Sequence, residues 1–120
     1  MSKKGVHVFP VRVYYEDTDA AGIVYYANYL RFAERARTEL LRDLGIENAR
    51  LMERQNLAFA VRRCSMDFVK PAKLDDMLAV ETRLIDIGDA SLTADQRVRR
   101  DQTDLVSMEL KLACITIDGR

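Results

Sequence analysis

Residues 28–44 read NYLRFAERARTELLRDL, and this stretch decides the architecture. At the angular step of an α-helix, Tyr29, Leu30, Phe32, Ala33, Ala36, Leu40, Leu41 and Leu44 fall within about half the circumference. Arg31, Arg35, Thr38 and Arg42 fill the opposite stripe, and Gly45 stands where a left-handed cap belongs. An arc this wide predicts a helix pressed deep into a sheet, with Ala33 and Ala36 letting the backbones come close. Strand patterns flank it on both sides. Phe9, Val11, Val13 and Tyr15 alternate with Pro10, Arg12, Tyr14 and Glu16, the period of a strand. After a short helix over 47–55, strands are predicted at 57–69, 77–87, 91–99 and 105–117. Gly88-Asp89 and Asp101-Gln102 mark hairpin turns, so the strands they join are antiparallel. The fold class is α+β: a single domain over 1–120 with a curved five-stranded antiparallel sheet wrapped around one long helix. One helix covers only part of such a sheet. A second copy of the chain is the expected cover, so a homo-oligomer follows.

Composition narrows the chemistry. Lysine plus arginine and aspartate plus glutamate each count 19, and this balance argues against a protein built to coat nucleic acid. Cys64 and Cys114 lack metal-ligand spacing and read as reduced core thiols of a cytoplasmic protein. No apolar run suits a signal peptide after Met1-Ser2-Lys3-Lys4-Gly5, and none reaches the length of a membrane span. His7 is the only histidine, so no histidine pair can hold a metal. A serine or cysteine triad would have to recruit His7 from the start of the first strand. No metal or cofactor is expected, and a carboxylate leads as the reactive group.

The informative junction runs from Val13 to Leu30 (VYYEDTDAAGIVYYANYL) and sets carboxylates just before a helix N-terminus. There, unpaired backbone N–H groups and the positive end of the dipole can stabilise a developing oxyanion. A nearby carboxylate can attack a carbonyl carbon or take a proton from water. By pattern alone, Asp-Thr-Asp reads first as a turn-and-cap arrangement. Haloacid-dehalogenase-type phosphatases also begin with paired aspartates after a strand, but they need a parallel sheet that this chain does not predict.

The stretch from Val11 to Leu41, VRVYYEDTDAAGIVYYANYLRFAERARTELL, resembles the signature of YbgC-like and 4-hydroxybenzoyl-CoA thioesterases of the hotdog superfamily. The likeness continues through Val61-Arg62-Arg63, Asp67-Phe68 and Pro71 to Leu78, and is strongest to the Tol-Pal-associated acyl-CoA thioesterase subgroup. It implies a hotdog fold and hydrolysis of small or medium acyl-CoA, or of acyl-carrier-protein thioesters, in a dimer or dimer of dimers. It implies that Asp19 is the catalytic carboxylate and that the backbone N–H of Tyr26 polarises the carbonyl. Gly22 is expected to allow a tight approach, and Asp17 to be a turn residue. Many subgroup members carry histidine where this chain has Tyr26. That departure supports the alternative, a non-catalytic subunit that binds acyl-CoA or acyl carrier protein. A hotdog dehydratase needs a histidine in the helix region, and none is there.

The remaining candidates are weighed by position. Tyr14, Tyr15, Tyr25 and Tyr29 are expected beside the cleft, with Tyr25 and Tyr29 flanking the acyl group. Arg62 and Arg63 could hold CoA phosphates, as arginine forks do, although strand cations are ordinarily the wet face. Lys70, Arg97, Arg99 and Arg100 share that reading. Arg37 is expected to pair with Glu34 one turn back, and Asn28 to cap the helix.

Overall fold

A computed structural model of the chain describes residues 5–88 and 90–117. Asp89 of the first hairpin turn lies outside the described residues, as do residues 1–4 and 118–120. The elements are β1 (His7–Arg12), α1 (Asn28–Asp43), α2 (Asn48–Gln55), β2 (Leu57–Phe68), β3 (Met77–Ile87), β4 (Ser91–Arg100) and β5 (Thr103–Thr116). The five strands form one sheet in the order β1-β3-β4-β5-β2, antiparallel throughout. Following α1, the chain enters β2 at the edge opposite β1 and then recrosses to β3 through residues 69–76. This last connection and the one from β1 to α1 matter, because they meet before the start of α1.

α1 buries Tyr29, Phe32, Ala33, Ala36, Arg37, Leu40 and Leu41. Facing them are Val11, Leu78, Val80, Val98, Val106, Met108 and Leu110, every second residue of their strands. Ala33 and Ala36 are fully buried, and a side chain of β4 reaches the Ala33 carbonyl, so the close approach is realised. The helix ends at a left-handed glycine: Gly45 has φ +87°, Gly45 N–H donates to Arg42 O and Ile46 N–H to Leu41 O. This is a Schellman closure, and only the backbone angle demands glycine, since nothing lies within 4 Å of a Cβ there. Gly45→Ala should cost about 1 kcal/mol, read as a lowered midpoint in urea.

Several local expectations are corrected. The first strand stops at Arg12, and Tyr15–Asp17 forms a 3-10 turn. Asp17 Oδ2 accepts from Tyr14 N–H at 2.8 Å and outcompetes the strand pattern. Tyr14 and Tyr15 are therefore exposed and do not continue the strand. Asn28 is not the cap: Ala27 precedes α1, and Asn28 Nδ2 donates to Asp17 O at 3.0 Å. Arg37 turns inward to Gln96 Oε1 at 2.9 Å, while Glu34 stays exposed. Both cysteines are free, as expected, but Cys64 is exposed on the edge strand and Cys114 only half-buried. His7 Nε2 pairs with Asp43 Oδ2 at 3.1 Å, tying β1 to the end of α1.

Candidate active site

A tight hairpin connects β1 to α1. Thr18 bridges Val24, Asp19 N–H donates to Ile23 O at 2.9 Å and Tyr25 N–H to Asp17 O at 3.0 Å. Its tip closes through Gly22 N–H to Asp19 O, with Gly22 at φ +80°. A Cβ on Gly22 would meet no protein atom within 4 Å, so within the chain itself only the backbone angle asks for glycine. Asp19 is exposed on this hairpin; its Oδ1 accepts from Ala21 N–H at 2.8 Å, and its other oxygen has no partner among the described residues.

The start of α1 supplies the complementary groups. Asn28, Tyr29 and Leu30 donate to Tyr25, Tyr26 and Ala27 carbonyls, three residues back. Val24 and Tyr25 spend their amides on Ala72 O and Asp17 O. Among the described residues, the unmatched N–H groups therefore fall on Tyr26 and Ala27. Tyr26 stands two residues before the helix, at the end of the returning hairpin arm, while Asp19 on the outgoing arm is level with Ile23.

Beside these amides lies a cavity of about 320 Å³ lined by Ile23, Val24, Tyr26, Tyr29, Phe68 and Val69, with Lys70 and Pro71 at its border. The Phe68 ring packs against Tyr26 (centroids 6.3 Å apart) and Tyr29 (6.0 Å). Tyr29 is buried and its hydroxyl accepts from Ala72 N–H at 3.0 Å; burial raises its phenol above the ordinary value. Tyr25 is exposed and stacks on Tyr26 with centroids 4.9 Å apart, outside the lining. Phe68 and Val69 were not singled out from sequence. Their signal was two consecutive apolar residues at a strand end, where alternation would turn one of them to water.

The structure puts Tyr26 and Tyr29 at the start of α1 and in the cavity lining, with Asp19 and Gly22 on the hairpin before it and outside that lining. It does not bring Arg62 and Arg63 there: they sit on exposed β2, outside the cavity. The β2–β5 register slips between Val61 and Arg63, so Arg62 is a bulge residue, and Arg63 faces Lys111. Three other strand arginines are engaged: Arg97 and Arg99 by Asp104, and Arg100 by Asp76.

Residues 13–120 match the thioesterase-like superfamily. The chain belongs to that superfamily. An acyl-CoA thioesterase YbgC of Haemophilus influenzae is 49% identical over 91% of this chain and 80% of its own length. An acyl-CoA thioester hydrolase YbgC of Escherichia coli is 44% identical over 89% and 80%. Among solved structures, a probable thioesterase from Bartonella henselae superposes with a TM-score of 0.92 at 37% identity, covering 96% of this chain and 95% of that one. The α+β hotdog fold is thereby established, and the protein is a thioester hydrolase of this superfamily. No helix among the described residues is long and apolar enough to cross a membrane.

Proposed function

We propose that this thioesterase is a cytoplasmic acyl-CoA hydrolase in which Asp19 and the Tyr26 amide act on one carbonyl. The observation that carries the reading is the unmatched N–H of Tyr26 at an apolar cavity, just past a hairpin that bears an open carboxylate oxygen. The acyl group enters the cavity, and the thioester oxygen accepts from Tyr26 N–H. One such donor is worth about 3–4 kcal/mol of transition-state stabilisation. Asp19 then has two routes. It attacks the carbonyl carbon, expels the CoA thiolate and leaves an anhydride that water cleaves; or it takes a proton from water as the water attacks. In both routes the products are the free acid and CoA thiol. The names of the YbgC relatives support acyl-CoA as the substrate.

The reading includes a homo-oligomer, dimer or dimer of dimers. Its support is β2, a twelve-residue edge strand with Val61 and Phe68 exposed. Gly22 shapes the hairpin, Tyr29 stands by the acyl group, Tyr25 backs Tyr26 at the mouth, and Arg62 and Arg63 take the CoA phosphates. Arg63 opposite Lys111 sets like charges face to face, an arrangement that an anion relieves. Arg62→Ala/Arg63→Ala should raise KM for a CoA ester about tenfold and leave kcat unchanged, as steady-state kinetics will show.

The deciding experiment presents short, long and aromatic acyl-CoAs, and one acyl-carrier-protein thioester, to the protein with a thiol-reactive dye. Thiol release from at least one CoA ester is expected. Saturable binding of every ester with no release would replace the hydrolase by the binding subunit.

A further inference from the structure

The two reactive groups hang on a common bracket, the loop over residues 71–76. Ala72 O accepts from Val24 N–H at 2.9 Å, Lys73 bridges Ile23, and Leu74 N–H donates to Gly22 O at 3.2 Å. These contacts hold the hairpin that carries Asp19. The same loop reaches α1 through Ala72 N–H to the Tyr29 hydroxyl. It is moored to the chain after β1 by Asp75 N–H to Val13 O and Val13 N–H to Asp76 O. Its own turn is closed by Asp76: Oδ2 accepts from Lys73 N–H at 2.8 Å, and Asp76 N–H donates to Lys73 O at 3.0 Å.

Two distant arginines hold this loop: Arg12 Nη1 donates to Asp75 O at 2.8 Å, and Arg100 takes the carboxylate that closes the turn. Arg100, at the end of β4, places Nη1 2.7 Å from Asp76 Oδ2 and 3.5 Å from Pro71 O. We propose that Arg100 and Asp76 are positioning residues for hydrolysis, their ion pair fixing the loop that sets Asp19 and the Tyr26 amide relative to each other. Neither lines the cavity, and neither touches the reacting atoms. Asp101, next in the chain, has φ +56°, a backbone angle that L-residues seldom adopt, so the end of β4 turns away sharply just beyond the arginine. Burial would raise the Asp76 carboxyl, but the Lys73 N–H and the Arg100 guanidinium hold it below the ordinary carboxylate range. The pair therefore stays ionised at neutral pH, and what it contributes is lost as pH falls through that lowered value.

The inference rests on the proposed roles of Asp19 and Tyr26. Its test compares Arg100→Met, Asp76→Asn, the double variant, Arg100→Lys and Asp19→Asn, with kcat, KM and thermal midpoint measured on one acyl-CoA. Arg100→Met and Asp76→Asn should each lower kcat at least about tenfold while KM stays within about twofold. The double variant should be no slower than either single, because both act through one loop. Arg100→Lys should recover most of the loss. Wild-type kcat in a folded Arg100→Met or Asp76→Asn protein overturns the inference. So does a kcat loss that merely follows the folded fraction. If Asp19→Asn keeps turnover, the Asp19 mechanism itself fails, whatever Arg100 does; an inactive Asp19→Asn beside a fully active Arg100→Met sinks only the positioning role.

Discussion

Asp19→Asn should lower turnover by about three orders of magnitude while leaving KM and the thermal midpoint close to wild type. The asymmetry follows from how the side chain is held. One oxygen accepts from Ala21 N–H and helps close the hairpin; an asparagine carbonyl can keep that bond. The other oxygen has no partner among the described residues and is the one free to act on a carbonyl or on water. Asparagine replaces that oxygen with an NH2 group, which is neither nucleophile nor base. Since Asp19 is exposed, little packing is at stake. Thiol release under saturating acyl-CoA, with a melting curve on the same sample, separates the two effects. Wild-type turnover by Asp19→Asn would leave the carboxylate without a role.

Gln96→Leu carries the largest expected loss of stability. Gln96 is fully buried at the centre of β4, and its amide is fully used: Oε1 accepts from Arg37 Nη1, and Nε2 donates to Ala33 O and Thr82 Oγ1. Arg37 is only 9% exposed, and burial pulls its guanidinium below the ordinary value, opposed by the nearby Glu34 carboxylate. Leucine would strand that cation and the Thr82 hydroxyl at a cost of about 3 kcal/mol. A second change, Arg37→Met, removes the stranded charge, so Arg37→Met/Gln96→Leu should regain much of the loss. Urea denaturation of the two singles and the double measures this coupling. Strictly additive losses would show that the bond between the side chains contributes nothing of its own.

Local pattern made much of this fold legible, and pairing at a distance hid the rest. The arc from Tyr29 to Leu41 and the alternation of Val106, Met108, Leu110 and Leu112 each name a buried face within a few residues. Hairpin turns gave the β3-β4-β5 meander. That β2 lies at the edge beyond β5 is set by contacts such as Phe59 with Cys114, which no local rule anticipates. Arg37 shows the same limit: Glu34 is its neighbour along the helix, but burial turned it toward Gln96, 59 residues away. At Tyr14 and Tyr15 a strand pattern lost to one carboxylate–amide bond from Asp17. The candidate site was legible where it is contiguous, from Asp19 to Tyr29. Its far wall, Phe68 to Pro71, and its Arg100–Asp76 brace come from elsewhere in the chain, and their places are visible only once the loop at 71–76 is folded.

The most direct test of the central claim is a crystal structure of Asp19→Asn soaked with an acyl-CoA that the wild-type protein hydrolyses. The thioester oxygen should lie about 3 Å from the Tyr26 backbone nitrogen, with residue 19 facing the carbonyl carbon and the acyl group in the cavity beside Phe68. A carbonyl bound away from the start of α1, with residue 19 facing only water, would contradict it.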